Sequence, residues 1–124
     1  MGFLIVFLGG GLGAAARHGV NMIVAGMLGT SFPFGTQAIN VIGSFLMGAM
    51  VGYFAFRGEA SQHWRLFLTT GILGGFTTFS AFSLETVLLY ERGQSVSAAI
   101  YVVTSVVLSV AGLMGALSLL RHFS

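Results

Sequence analysis

The sequence predicts an all-α membrane protein with four transmembrane helices per subunit, the third of them broken, and three observations predict it. Apolar residues make up 56% of the chain and charged residues 6%, too little polar surface to clothe a water-soluble domain. The apolar residues fall in four blocks. At 124 residues the chain has room for four spans of roughly 20 residues, as one domain with short connections. In the third block, glycines and hydroxyl residues crowd the middle, a composition that weakens a helix.

The first span is expected at about residues 2–28, carrying Arg17 and His18 two-thirds of the way along. No positive charge precedes Arg17, so this block reads as a retained span rather than a cleaved signal peptide. Gly29 to Gly35, with the single proline Pro33, reads as a loop. The second span is expected at 36–56, followed by the polar segment Arg57 to Arg65, which reads as a solvent loop. The third is expected at 66–90. Its middle contains Thr69-Thr70-Gly71 and Gly74-Gly75-Phe76-Thr77-Thr78-Phe79-Ser80, where hydroxyls beside glycines can take up freed backbone groups and so permit a mid-membrane break. Glu91 to Ser97 closes it, and the fourth span is expected at 97–120.

Charge says more about topology than about partners. The formal net charge of +2 comes from Arg17, Arg57, Arg65, Arg92 and Arg121 against Glu59, Glu85 and Glu91. No basic cluster is present, so nucleic-acid binding is not indicated. There is no cysteine, and His18, His63 and His122 lack metal-ligand spacing. With four spans, Arg57, Arg65 and Arg121 share the side of the N-terminus, and Arg92 stands alone opposite. So weak an asymmetry predicts insertion in both orientations, and with it an antiparallel, dual-topology homodimer in the lipid bilayer. Ser44, Gly48 and Gly52 recur every four residues, as do Gly9 and Gly13, a spacing that lets helix backbones approach within or between chains.

Catalysis finds no support: no nucleophile stands with a base, and no carboxylates pair, so the chain reads as a non-enzyme. Polar side chains inside the spans are more telling, because each must find a partner or face water. The second span has Thr36, Gln37, Asn40 and Ser44; the third has Thr77, Thr78, Ser80 and Ser83; the fourth has Tyr101, Thr104, Ser105 and Ser109. Tyr101, Ser105 and Ser109 form one stripe of a helix. These rows supply hydrogen-bond donors without a ring of carboxylates, which favours an anion path over a cation path. Asn40 is the strongest single donor, with two N–H groups. Phe76, Phe79 and Phe82 recur beside the hydroxyl row, and the positive edge of an aromatic ring can meet an anion favourably. The alternative is a small multidrug-type proton-coupled exporter, which needs an ionisable group deep in a span; Glu85 is the one candidate.

The stretch Gly74-Gly75-Phe76-Thr77-Thr78-Phe79-Ser80-Ala81-Phe82-Ser83-Leu84-Glu85 resembles the third-helix motif of the Fluc (CrcB) family of bacterial fluoride channels. Gly35-Thr36-Gln37-Ala38-Ile39-Asn40-Val41-Ile42-Gly43-Ser44-Phe45 resembles its second-helix motif, and Gly10 to Arg17 its first. The resemblance covers nearly the whole chain. It implies a multi-pass protein of the bacterial plasma (inner) membrane, an antiparallel homodimer whose two pores export fluoride passively and confer fluoride resistance. By motif position it implies a fluoride pathway of Thr36, Asn40, Phe79, Phe82, Tyr101, Ser105 and Ser109, with Arg17 as a charge near a pore mouth; Ser80 and Ser83, which repeat with Thr77 every three residues, are expected to add hydroxyls to that path. It further implies a structural sodium ion at the dimer interface, held by the carbonyls of Gly74 and Thr77, and no organic cofactor. Ala81 departs from the motif, which more often has a hydroxyl there, and His18 follows Arg17 as a group able to add pH sensitivity. The role of Glu85 stays open at this level.

Overall fold

A computed structural model describes residues 1–57 and 61–122. Among them the fold is entirely helical: α1 (Gly2–Leu28), α2 (Phe34–Arg57), α3 (Gln62–Arg65), a π-helical segment (Leu66–Leu73), α4 (Gly74–Phe76), α5 (Phe79–Glu91) and α6 (Ser95–His122). Four stretches are long and apolar enough to cross a membrane: Gly2–Leu28, Phe34–Ala55, Gln62–Glu91 and Ser95–His122. The third begins at Gln62 rather than near Leu66, because Ser61 caps it by accepting from the Trp64 N–H at 3.3 Å. Arg65, expected in a solvent loop, is therefore helical; its guanidinium lies over the Phe54 ring, 5.6 Å from the centroid. The remainder of that expected loop, residues 58–60, lies outside the described residues.

Short connections follow from two glycines. Gly29 ends α1 at φ 77° and Gly93 turns the chain between α5 and α6 at φ 80°, a region that only glycine enters without strain.

The glycines of both small-residue stripes pack against neighbouring helices of this one chain, while Ser44 faces a cavity. Gly9 and Gly13 are the buried residues of α1, and a Cβ on Gly9 would stand 2.9 Å from the Gly71 Cα. On α2, Gly48 meets the backbone of Leu113 and Gly52 meets Leu120 of α6. So α1 lies backbone-to-backbone on the π-helical segment, and α2 lies the same way on α6. Outward faces remain apolar: Phe3 and Phe7 of α1 are 96% and 76% exposed, as a lipid-facing surface requires.

Between α4 and α5 the third span breaks. Thr77 and Thr78 take extended conformations, at φ −80°, ψ 157° and φ −150°, ψ 117°. Helix α5 restarts because the Thr78 hydroxyl accepts from the Ala81 N–H at 3.2 Å, an N-cap on an orphan donor.

Candidate functional site: a polar-walled cavity at the helix break

The break is held from both sides by side chains of other helices. Asn40, on α2, pairs with the Thr78 backbone twice: its Nδ2 donates to the Thr78 carbonyl at 2.9 Å, and its Oδ1 accepts from the Thr78 N–H at 2.8 Å. The carboxamide thus replaces one rung of the missing helix, and one Nδ2 hydrogen remains for other use. Arg17, on α1, donates from Nε to the Gly75 carbonyl at 3.2 Å. Close approach at this point depends on Gly43, where a Cβ would collide with the Thr77 methyl.

Two carbonyls of the break lose the donors an unbroken helix would give them. The Thr78 N–H, which would reach Gly74, goes to Asn40, and the Ala81 N–H, which would reach Thr77, goes to the Thr78 hydroxyl. Gly74 lies on the exposed side of the span.

A cavity of about 340 Å³ opens beside the break. Asn40 and Ser44 of α2, Thr77 and Thr78 of the break, Phe79 and Phe82 of α5, and Ser105 and Ser109 of α6 form its polar and aromatic walls, and Met47, Val106, Val110 and Leu113 complete its apolar ones. None of the lining side chains is charged. The Phe79 and Phe82 rings lie 5.7 Å apart at 46°. Phe79 is 78% exposed, so the cavity is open on that side.

A second cavity, of about 230 Å³, lies toward the α1–α2 connection and is lined by Asn21, Thr36, Glu85 and Arg92 among others. A hydrogen-bonded cluster stands between the two. Thr36 donates to Glu85 Oε1 at 2.8 Å and the Tyr101 hydroxyl donates to Glu85 Oε2 at 3.0 Å. Thr36 and Tyr101 are almost fully enclosed, at 1% and 0% exposure. Phe82 packs on Tyr101 with ring centroids 5.2 Å apart, so the aromatic wall of the first cavity is continuous with the polar cluster of the second.

The sequence-predicted residues therefore divide into groups. Asn40, Thr77, Phe79, Phe82, Ser105 and Ser109 meet around one cavity. Thr36 and Tyr101 belong to the Glu85 cluster instead. Ser80 and Ser83 lie on the exposed face of α5 outside the cavity lining, and Ser83 gives its proton back to the Phe79 carbonyl at 3.0 Å. Arg17 braces the break, and His18 is exposed. Two contributors escaped the site reading. Glu85 was visible three residues after Phe82 on the same helix face, and Gln37 stands three residues before Asn40, close to the same face of α2.

The fold and the site define a small multi-pass membrane protein with an uncharged cavity, its apolar walls dotted with hydroxyls and one carboxamide, beside a broken helix. The chain belongs to the CrcB family: residues 4–117 match the family described as "CrcB-like protein, Camphor Resistance (CrcB)". It is 62% identical over 124 residues to Fluoride-specific ion channel FluC 2 of Nitrobacter hamburgensis, covering all of both chains. It is also 61% identical to Fluoride-specific ion channel FluC of Rhodopseudomonas palustris, over 98% of each chain. The protein of the same name from Granulibacter bethesdensis is 63% identical, over 98% of this chain and 95% of that one.

Proposed function

We propose that this chain forms a fluoride-selective channel that gives passive fluoride export across the bacterial inner membrane. The observation that carries the reading is the uncharged cavity walled by Asn40, Phe79, Phe82, Ser105 and Ser109, in a chain 62% identical end to end to a fluoride-specific ion channel. Fluoride is small and strongly hydrated, so a path must replace its water with donors while leaving binding weak enough for exit. The remaining Asn40 N–H, the serine hydroxyls and the positive ring edges of Phe79 and Phe82 are donors of that kind, and no charged side chain lines the cavity to trap the ion.

The working unit in this reading is an antiparallel, dual-topology homodimer. Support comes from the open side of the cavity at Phe79, from Ser80 and Ser83 on the same exposed helix, and from the weak arginine asymmetry. A second copy would bring another pair of Gly74 and Thr77 carbonyls to the interface. Carbonyls whose helical donors have gone elsewhere suit a hard monovalent cation, so these residues fit a structural sodium ion at the twofold axis. That ion would supply only a positive centre for the facing carbonyl dipoles to coordinate. A high-resolution structure grown in sodium would show density between the two breaks; hydrogen-bonded water alone there would defeat the assignment.

The proton-coupled exporter reading loses ground at Glu85. Both carboxylate oxygens accept from hydroxyls, which leaves the group committed to Thr36 and Tyr101 rather than open to a cationic substrate.

The decisive experiment reconstitutes the pure protein in liposomes under halide gradients and records efflux with fluoride and chloride electrodes. Fluoride efflux without chloride efflux is the expected result. Equal efflux of both halides, or of neither, would sink the channel reading. Reporters fused to the C-terminus are expected on both sides of the membrane, and one-sided labelling would count against dual topology.

A further inference from the structure

Gln37 has no part in the cavity lining, yet it makes two bonds to the helix that does. Its Nε2 lies 2.7 Å from Thr104 Oγ1 and 3.2 Å from Ser105 Oγ. The first contact fixes which way the amide faces. Thr104 Oγ1 lies 2.6 Å from the Ile100 carbonyl oxygen, an atom that can only accept, so the Thr104 proton is committed there. Toward Gln37, Thr104 can therefore only accept. The Gln37 atom that touches it is the NH₂ nitrogen, and its two hydrogens serve the two hydroxyls.

Ser105 is thereby made an acceptor too, which decides where its own proton goes. Hydroxyls in membrane helices ordinarily donate to the carbonyl four residues back, and Thr69, Thr77, Ser83 and Thr86 all do so here. Ser105 makes no such bond among the described residues. The carbonyl it would use, that of Tyr101, has Thr104 Oγ1 at 3.5 Å instead. Ser105 is 4% exposed and lines the cavity beside Asn40 and Ser109, so the cavity is the place left for its proton.

We infer that Gln37 is a positioning residue for the anion path: by donating to Ser105 Oγ it turns the Ser105 O–H into the cavity, as a donor aimed at a passing anion. Without Gln37, the hydroxyl would fall back on the Tyr101 carbonyl and present its lone pairs, which repel an anion, to the cavity. Gln37 thus acts through Ser105 and touches no ion itself. This inference rests on the fluoride-channel reading, and its test is built so that the two can fail separately.

The test is a double-mutant cycle on fluoride efflux from liposomes, using the unmodified chain, Gln37→Met, Ser105→Ala and the double variant, with assembly checked by size-exclusion chromatography. Methionine keeps the length of the side chain and removes the donor. Gln37→Met is expected to slow efflux about tenfold, the scale of one oriented hydrogen bond. Ser105→Ala is expected to do the same, and the double variant to be no slower than Ser105→Ala alone, because the pair acts as a unit. Unchanged efflux in Gln37→Met, or losses that multiply in the double variant, would overturn the inference while leaving the channel reading intact. Absence of fluoride efflux from the unmodified chain would bring down the channel reading and this inference with it. Gln37→Leu, whose branched side chain fills similar space, replaces Gln37→Met in the cycle if the methionine variant does not assemble.

Discussion

The third and fourth spans carry the same kinds of side chain and end up built differently. Both are long apolar stretches dotted with threonine and serine, yet Ser95–His122 runs as one helix while Gln62–Glu91 passes through a π-helical turn and then breaks at Thr77 and Thr78. On α6 the Thr104 hydroxyl bonds back to its own helix, and the backbone ladder continues. At the break the backbone instead draws on side chains from elsewhere in the chain: Asn40 takes both polar groups of Thr78, and Arg17 takes the Gly75 carbonyl. Hydroxyls alone do not make a helix break inside a membrane. A break needs partners on neighbouring helices, since lipid offers nothing to satisfy what the helix gives up.

That comparison is most exposed at Asn40. Asn40→Leu removes both bonds to Thr78 and leaves its half-buried N–H without a partner, while the Thr78 carbonyl keeps the first helical bond of α5. A loss of about 1–3 kcal/mol is expected, the scale of one orphaned backbone group. Thermal unfolding in detergent should show it, alongside abolished fluoride efflux. If Asn40→Leu unfolds like the unmodified chain, the break supports itself and the contrast between the spans disappears.

The next largest effects are expected at the two rings. Phe79→Ile and Phe82→Ile keep bulk and apolarity but remove the positive ring edge, so fluoride efflux should fall severely in both. Their stabilities should part company. Phe82 packs on Tyr101 at 5.2 Å and its replacement should cost about 1 kcal/mol beyond lost area, whereas Phe79 is 78% exposed and should cost little in the isolated subunit. Near-normal efflux in both variants would mean that the rings only pack.

A smaller effect is expected on the far side of the break. Arg17→Met removes the donor to the Gly75 carbonyl but keeps an apolar stem, for a loss of about 1 kcal/mol. Unfolding measured beside Asn40→Leu would rank the two braces. A larger loss at Arg17 than at Asn40 would reverse the assignment of the main support.

How far these features could be read from the sequence follows from the same division. Four spans and a break near Gly74 to Ser80 were legible because composition and glycine placement are local signals. Helical spacing showed Ser105 and Ser109 on one stripe and Phe79 beside Phe82, and only the motif resemblance implied that these share one path with Asn40. What escaped was pairing across the fold. Nothing local to Asn40 says that both ends of its amide go to Thr78, nothing near Arg17 points to Gly75, and nothing near Glu85 says that its two oxygens accept from Thr36 and Tyr101. The third span's early start was missed for a different reason: Gln62 to Arg65 is polar, and its helix is set by the Ser61 cap rather than by apolar periodicity.

The smallest effect is expected where a hydroxyl serves only its own helix, and Thr86 on α5 is such a case. Its Oγ1 donates to the Phe82 carbonyl at 2.8 Å, the bond that threonines in membrane helices make by default. That carbonyl already lies within reach of the Thr86 backbone N–H in the regular helix, so it keeps a partner when the hydroxyl goes. Thr86→Val replaces the hydroxyl with a methyl of similar size, and both residues are branched at Cβ, so the restriction of χ1 changes little. No buried donor or acceptor is orphaned, and the hydroxyl is absent from the walls of either cavity. Stability within about 0.5 kcal/mol of the unmodified chain is expected, with fluoride efflux within about twofold, the factor such an energy allows. The measurement pairs unfolding and efflux for Thr86→Val with those for Asn40→Leu. A large loss at Thr86 would show that hydroxyls bonded back to their own helix support the third span after all, and the distinction between self-satisfied and cross-braced polar groups would have to be abandoned.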